Sequence, residues 1–524
     1  MKVEVYDSTL RDGAQAEGIS YSIEDKLMIA RRLDELGVHY IEGGWPNPTN
    51  PKELTFFIRA KEYDFKHAKI TAFGSTRRAT NTPERDATLN TLVAAETEAV
   101  ALYGKSWDLH VTHVLRTTLE ENLRMIEDSV AFLKKKGKEI IFDAEHYFDG
   151  YKNNPAHAVE TLHAAQEGGA HILVLCDTNG GCMPFEIQEI IEETQKEISI
   201  PFGIHTHNDA GMAAANTIIA VKLGAAQVQG TIHGYGERCG NANLCTLIPN
   251  LELKMGVRCL GKNKLRELMD LSRFVSEIAN VAHDHRQPYV GESAFAHKGG
   301  AHVDGVLKIP QSFEHVDPEM VGNERRFLVS DQAGGSAIMT MLQRLHPGIK
   351  KKDPLVAQIL AEVKRLENEG YQFEAANGSF ELLARKAMGM YKDPFELKSF
   401  RTINRKSNDE AEVEAIVKIV VNDQVQHTVA EGDGPVHALD NALRKALEGA
   451  YPNLGKVRLE DYKVRVLSSR DGTAAKVRVL IESSDGEDVW GTVGVSENII
   501  EASWIALIDS LNYKLLKDQE KTRG

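Results

Sequence analysis

Short, nearly continuous apolar runs alternate with amphipathic stretches through the first half of this chain. The runs are Val3–Asp7, Tyr40–Gly43, Ile70–Gly74, Ala99–Tyr103, Glu139–Glu145, His171–Asp177, Phe202–His207 and Val228–His233. Runs of this kind suit parallel strands, which are covered on both faces. Between the first two runs, Ile23, Leu27, Ala30 and Leu33 recur at helical spacing, after an N-cap candidate, Ser22, and before a stop, Gly37. Parallel neighbours need such crossover helices. Eight strand–helix units in about 250 residues have the size of a TIM (β/α)8 barrel. A doubly wound open sheet is the alternative that this pattern leaves.

The alternation fails from about Leu260 to Phe395, where helical stretches (Lys264–Ala282, Pro354–Glu369) flank a Gly- and His-rich loop, Glu292–Gly305. Beyond Phe395 alternating strands are expected at Val413–Val421, Tyr462–Ser468 and Lys476–Glu482. Two similar segments, Gly434–Leu443 and Glu497–Leu507, each follow a strand and open a helix, which marks an internal repeat. The expected organisation is therefore α/β: a TIM barrel over 1–270, a mostly helical linker subdomain over 271–395, and a small α+β domain over 396–524. The last contains no catalytic cluster, so regulation or assembly is its expected role.

Composition narrows the function classes. The chain has 524 residues, Lys+Arg 62 against Asp+Glu 76, and a net charge of -14, without the basic stripe that a duplex-binding protein carries. No nucleic-acid partner is expected. Five cysteines, never spaced as CxxC, suggest neither a disulfide framework nor a structural zinc site, and fit a reducing cytoplasm. No apolar run approaches the roughly 18 residues of a membrane span, so no membrane partner is expected.

Catalytic groups of TIM barrels sit at the C-terminal ends of strands. Here those ends carry Ser8-Thr9-Leu10-Arg11-Asp12-Gly13 after the first strand, His205-Thr206-His207-Asn208-Asp209 at the seventh, and His233 to Asn241 after the eighth. His205 and His207 are two apart on an extended segment, so both imidazoles face one side. Closure of a barrel makes strands 7, 8 and 1 neighbours, which lets Asp12, His205, His207 and Asn241 converge. One carboxylate, two imidazoles and an amide oxygen suit Mn²⁺, Mg²⁺ or Zn²⁺. Arg11 can donate to an oxygen as negative charge develops there, with Glu42 at the end of strand 2 orienting it. Glu145, closing strand 5, is the candidate for acid/base work. Thr178, after strand 6, can hydrogen-bond a substrate carboxylate or cap a helix. Gly234, Gly236 and Gly240 are spaced GxGxxxG after a late strand, not as the GxGxxG of a dinucleotide fold. They are read as tight turning around Asn241.

These motifs, in this order, resemble the isopropylmalate, homocitrate and citramalate synthase family of DRE-TIM metallolyases. The resemblance extends through Phe295-Ala296-His297-Lys298-Gly299-Gly300-Ala301-His302-Val303-Asp304-Gly305 to the C-terminal repeat, which looks like the family's allosteric, LeuA-type dimerisation domain. It implies an acyltransferase that condenses acetyl-CoA with a 2-keto acid bound by Arg11, Thr178 and Glu42. It also implies a divalent metal on Asp12, His205, His207 and Asn241, and proton transfer by Glu145 and His302. The family's linker histidine reaches the site from the other subunit, which implies a homodimer. Lys298-Gly299 departs from the Glu-Ser of isopropylmalate synthases and is closer to the long citramalate synthases. Pyruvate is then the expected keto acid, and isoleucine the expected feedback effector. Bulky residues at strand ends, namely Phe73, Leu102, Tyr103 and Phe142, would fill the space a branched chain needs. Isopropylmalate or homocitrate synthesis, and more distantly an acyl-CoA lyase or aldolase, are the alternatives.

Overall fold

The computed structural model describes residues 2–47, 51–329, 335–350, 352–407, 410–467 and 475–523, in two compact units. The first unit, running through Phe295 with Val316–Arg325 added, is a closed barrel of eight parallel strands in sequence order. They are β1 (Glu4–Asp7), β2 (Tyr40–Gly44), β3 (Lys69–Ser75), β4 (Ala99–Lys105), β5 (Glu139–Glu145), β6 (Ile172–Asp177), β7 (Phe202–Thr206) and β8 (Gln227–Gly230). β8 closes the ring on β1, with Val5 opposite Val228 and Asp7 opposite Gly230. The open sheet is excluded.

Strand periodicity assigns each residue a layer. Val100, Leu102, Phe142, Leu173, Leu175, Ile204 and Val228 pack outward into the core shared with the surrounding helices. Their neighbours Tyr6, Tyr40, Phe73, Ala101, Ile141, Ile172, Val174 and Cys176 form a separate cluster inside the barrel. Leu102 and Phe142 therefore point away from the barrel axis, which corrects their expected role in the pocket. Phe73 lies in the interior cluster, and half-buried Tyr103 packs against it.

The first crossover helix, Ile23–Leu36, begins as its sequence dictates. Ser22 and Asp25 form a reciprocal capping box, and Gly37 ends the helix in the left-handed region at φ 98°. Such a cap is worth about 1 kcal/mol. The expected helix Lys264–Ala282 is a 3-10 turn, Lys264–Glu267, continuing into the helix Leu268–Ile278. The latter buries Leu271 and Val275 in the barrel's core. The eighth strand is shorter than its apolar run because His233 adopts φ 62°, inside a short 3-10 turn.

The second unit holds Ala296–His315 and the chain from Arg326 onward. Its helices Gly335–Leu345, Pro354–Asn368 and Asn377–Ala387 pack through Ile338, Leu342, Val356, Ile359, Val363 and Phe380. The Gly- and His-rich segment read as loop contains a helix, Gly300–Lys308. Its first four peptide N–H groups need no intrahelical partner, so glycines at the very start cost it little. Beyond it the internal repeat is explicit. Strands Phe395–Ser407, Glu410–Val421 and Gln424–Glu431 form a meander followed by the helix Pro435–Leu447. Strands Arg458–Val466, Val477–Ser484 and Val489–Ser496 form a second meander followed by the helix Ile499–Arg523. Ser468, the end of one expected strand, lies outside the described residues. In the first repeat Ala438, Leu439, Ala442, Leu443 and Ala446 make one helical stripe, clustered with Ala415, Val417, Ile419 and Val421 of the middle strand.

Candidate active site

Two strand ends, those of β1 and β7, bring Asp12, His205 and His207 together, each buried, with potential ligand atoms all within 4.8 Å of one another. His205 Nε2 and His207 Nε2 are 3.2 Å apart. Asp12 Oδ2 lies 3.7 Å from the former and 3.9 Å from the latter. Asn241 is placed beside them by a bridge between its backbone and that of His207. Among the described residues Asp12 Oδ1, Asn241 Oδ1 and His207 Nδ1 are enclosed without a hydrogen-bond partner. Buried polar atoms are rarely left so, because each costs about 1–3 kcal/mol. Two carboxyl and amide oxygens without donors, beside two imidazoles, are what a cation's ligands look like without the cation. The residues present fit a divalent metal.

Protonation states agree with that fit. Burial and the neighbouring His205 lower the His207 pKa to about 4, so its ring is neutral at pH 7. Burial raises the Asp12 pKa, but chiefly the Arg11 guanidinium beside it outweighs that and holds the carboxyl below its usual value. A neutral imidazole and a carboxylate are the forms that bind metal.

The loop carrying Asn241 is held by backbone. Asn241 N donates to Gly234 O at 2.9 Å, Ala242 N to Thr206 O at 2.9 Å, and Asn208 N to Gly240 O at 2.8 Å. A side chain at Gly240 would sit 1.9 Å from Gly234 O, and one at Gly236 would sit 2.1 Å from Asn241 Nδ2. Close packing around Asn241 explains both glycines, as the sequence reading held. Arg238 fixes the same loop by pairing with Asp209 at 2.8 Å and donating to Thr178 O at 2.7 Å.

Arg11 stands next to this cluster. Its Nη1 reaches Asp12 Oδ2 at 3.3 Å, its Nε donates to Glu42 Oε2 at 2.5 Å, and its guanidinium lies 3.7 Å from the centroid of the Phe73 ring. Glu42 is fully buried and also accepts from Tyr6 Oη at 2.6 Å and from Ser8 Oγ. Both Glu42 oxygens are thus engaged, one by Tyr6 and the other by Ser8 and Arg11. Phe73 stacks on Tyr103 at 5.3 Å, and Trp45 meets both rings edge-on at 5.8 and 5.7 Å. This aromatic wall beside Arg11 includes Trp45, which sequence reasoning missed; its position just after strand 2 was the available signal.

The remaining sequence candidates are placed as follows. Glu145 ends β5 and is ion-paired with Lys105. Thr178 Oγ1 accepts from His146 N at 2.9 Å, so it ties the β5 and β6 ends together and does not cap the next helix. His302 is exposed on the helix Gly300–Lys308 in the second unit, its ring stacked on Phe313 at 4.3 Å. All five cysteines are free, and Cys239 alone among them is exposed. No described helix is long and apolar enough to cross a membrane.

Comparison with known proteins places the whole chain. The HMGL-like family matches residues 2–275, the homocitrate synthase post-HMGL domain-like family 289–371, and the LeuA allosteric (dimerisation) domain 374–515. The chain is 54% identical to an (R)-citramalate synthase of Geobacter sulfurreducens, over 99% of this chain and 98% of that protein. It is 53% identical to an (R)-citramalate synthase of Aquifex aeolicus, over 99% of each. A probable 2-isopropylmalate synthase of Methanopyrus kandleri is 30% identical, over 98% of each.

Proposed function

We propose that this chain, which belongs to the HMGL-like family and within it to the (R)-citramalate synthases, condenses acetyl-CoA with pyruvate and hydrolyses the thioester. The products are citramalate and CoA, an entry into isoleucine synthesis. The observation that carries the chemistry is the buried Asp12, His205 and His207 cluster with Arg11 beside it.

Asp12, His205, His207 and Asn241 would hold the metal, through the enclosed oxygens and the facing imidazole nitrogens. A divalent cation there, of the Mn²⁺, Mg²⁺ or Zn²⁺ type, supplies Lewis acidity toward a keto acid's carboxylate and carbonyl oxygens. Arg11, charged at any working pH, donates to the carbonyl oxygen as it gains negative charge, while Glu42 fixes the direction of the guanidinium. Glu145 is the base for the acetyl methyl proton, and the pairing with Lys105 holds its carboxylate at the end of β5. Thr178 faces the substrate carboxylate. His302, by the family resemblance, moves a proton in the active site of the other subunit. The carbon–carbon bond forms between the deprotonated acetyl methyl carbon and the keto carbon, the resulting alkoxide takes up a proton, and water then cleaves the thioester to give a carboxylate and CoA thiol.

The Phe73, Tyr103 and Trp45 wall favours a methyl group over a branched chain at the keto acid's third carbon. The C-terminal unit matches an allosteric and dimerisation domain, which supports a dimer under effector control. We take isoleucine as the effector. The test is release of CoA thiol with pyruvate, 2-ketoisovalerate and 2-oxoglutarate, each with and without a chelator. Pyruvate should dominate and the chelator should abolish turnover. Equal rates with the branched acid would overturn the pyruvate assignment, and chelator-insensitive turnover the metal assignment.

A further inference from the structure

Gln227 and Gln229 of β8 are fully buried inside the barrel, two residues apart on one face of the strand. Neither belongs to the chemistry above. Gln229 Oε1 lies 3.0 Å from His205 Nδ1, while its Nε2 donates to Asp143 Oδ1 at 3.1 Å and to Gln227 Oε1 at 3.4 Å. With the amide nitrogen on the side of Asp143 and Gln227, the oxygen meets the imidazole. A carbonyl oxygen can only accept. His205 must then carry its proton on Nδ1, leaving the Nε2 lone pair directed at Asp12 and His207.

We propose that Gln229 is a positioning residue for the metal site: it holds His205 in the tautomer and ring orientation that present Nε2 to the cation. This rests on the assignment of Asp12, His205 and His207 as ligands. A metal-bound imidazole usually has its second nitrogen held by a carboxylate, a carbonyl or water. Here a neutral amide does it, and the barrel interior suggests why. Glu42 is already a buried carboxylate, and Asp143, driven by burial and by Glu42, has its pKa raised to about 8. A further carboxylate would add negative charge where one is already being neutralised by protonation. The chain Asp143–Gln229–His205 passes orientation from the middle of β5 to the metal ligand without adding a charge.

The experiment measures metal affinity of the full-length protein by competition with a chromogenic chelator, using Mn²⁺ or Zn²⁺, for wild type, Gln229→Met, Gln229→Glu, Gln227→Met and His207→Ala. Circular dichroism and thermal midpoint verify folding. Gln229→Met should bind metal about 10–100-fold more weakly, the range found for lost outer partners of ligating histidines. Gln229→Glu, which can still accept from His205 but adds a carboxyl beside Asp143, should lose less affinity than Gln229→Met. Gln227→Met removes an equally buried amide that does not touch His205 and takes from Gln229 only the longer contact at 3.4 Å, so it should cost clearly less affinity than Gln229→Met. Wild-type affinity in Gln229→Met, or equal losses in both methionine variants, would overturn the positioning role. Wild-type affinity in His207→Ala would instead overturn the ligand assignment on which it rests.

Discussion

The clamp on Arg11 offers the sharpest test of how this barrel performs its chemistry. Glu42 makes one charge-assisted bond to Arg11 Nε at 2.5 Å and two to hydroxyls, and all of it is fully buried. Replacing Glu42 by Gln keeps the volume and one accepting oxygen but removes the charge. Charge-assisted hydrogen bonds are roughly twice as strong as neutral ones. From about 1.5–3 kcal/mol for a bond to a charged group, the loss is then about 0.8–1.5 kcal/mol. If it falls wholly on the transition state, kcat/KM for pyruvate drops by up to about tenfold, at ~1.36 kcal/mol per decade. Glu42→Ala leaves Arg11 with Asp12 as its remaining close carboxylate. Breaking a buried pair costs about 3–5 kcal/mol, so the loss there should reach roughly two to nearly four orders of magnitude. Initial rates of thiol release as a function of pyruvate, alongside chelator-competition titrations, separate the two roles. The reasoning requires a graded fall, Gln less than Ala, with metal affinity changed little. Activity within about twofold of wild type in both variants would refute it, as would a metal affinity that falls in step with activity.

Gly236→Ala places a Cβ 2.1 Å from Asn241 Nδ2 and 3.3 Å from Asp12 Oδ1. It should displace Asn241 and weaken metal binding at least tenfold, about 1.4 kcal/mol, in the chelator titration; unchanged affinity would remove Asn241 from the ligand set. Tyr103→Ala opens the aromatic wall by removing the ring stacked on Phe73, while Phe73 itself remains beneath Arg11. The kcat/KM ratio of 2-ketoisovalerate to pyruvate should rise about tenfold, since a methylene in an apolar pocket discriminates by about 1–3 kcal/mol; a flat ratio would show that the wall does not sort keto acids. Asp509, in the second unit, has its pKa raised to about 6 by burial, against donation from Ser379. The folded state then binds this proton more tightly than the unfolded state does, so the contribution to stability declines as pH rises through about 4 to 6 and stays lost above. Asp509→Asn should raise the thermal midpoint at pH 7.5, the gap to wild type closing toward pH 4; no gap at pH 7.5 would contradict this. Isoleucine should inhibit the full chain and not a chain ending at residue 395, and inhibition retained by the shorter chain would place the effector elsewhere.

Sequence alone located the ends of the barrel strands, because parallel strands are continuous apolar runs and their first polar residues are conspicuous. Asp12, His205 and His207 were legible for that reason, and ring closure then required them to meet. What escaped was parity. Leu102 and Tyr103 look equally suited to line a pocket until the first residue of β4 is known, since a shift of one turns every side chain over. Gln229 escaped for a chemical reason, since a glutamine neither titrates nor commonly binds metal. Only the polar pair Gln227 and Gln229 in an otherwise apolar strand hinted at an interior requirement. The helix Gly300–Lys308 was hidden by its opening glycines, which read as loop. The N-cap at Ser22, and the two helices after their meanders, were plain because their signals are local.

The seam between β1 and β8 joins residues near the start of the chain to residues more than 220 positions later. Asp12 stands on one side of that seam and the histidines and Asn241 on the other, so no ion-binding pocket exists until the ring has shut. A nascent chain emerging from the ribosome must therefore expose its first stave and wait for the eighth before it can capture a cation. A cation held by these residues would load only after the ring has shut, and would then add RT ln(1 + [M]/Kd) to its resistance to reopening. Starving a cell of that ion would then cost the enzyme its hold on its own barrel as well as its turnover.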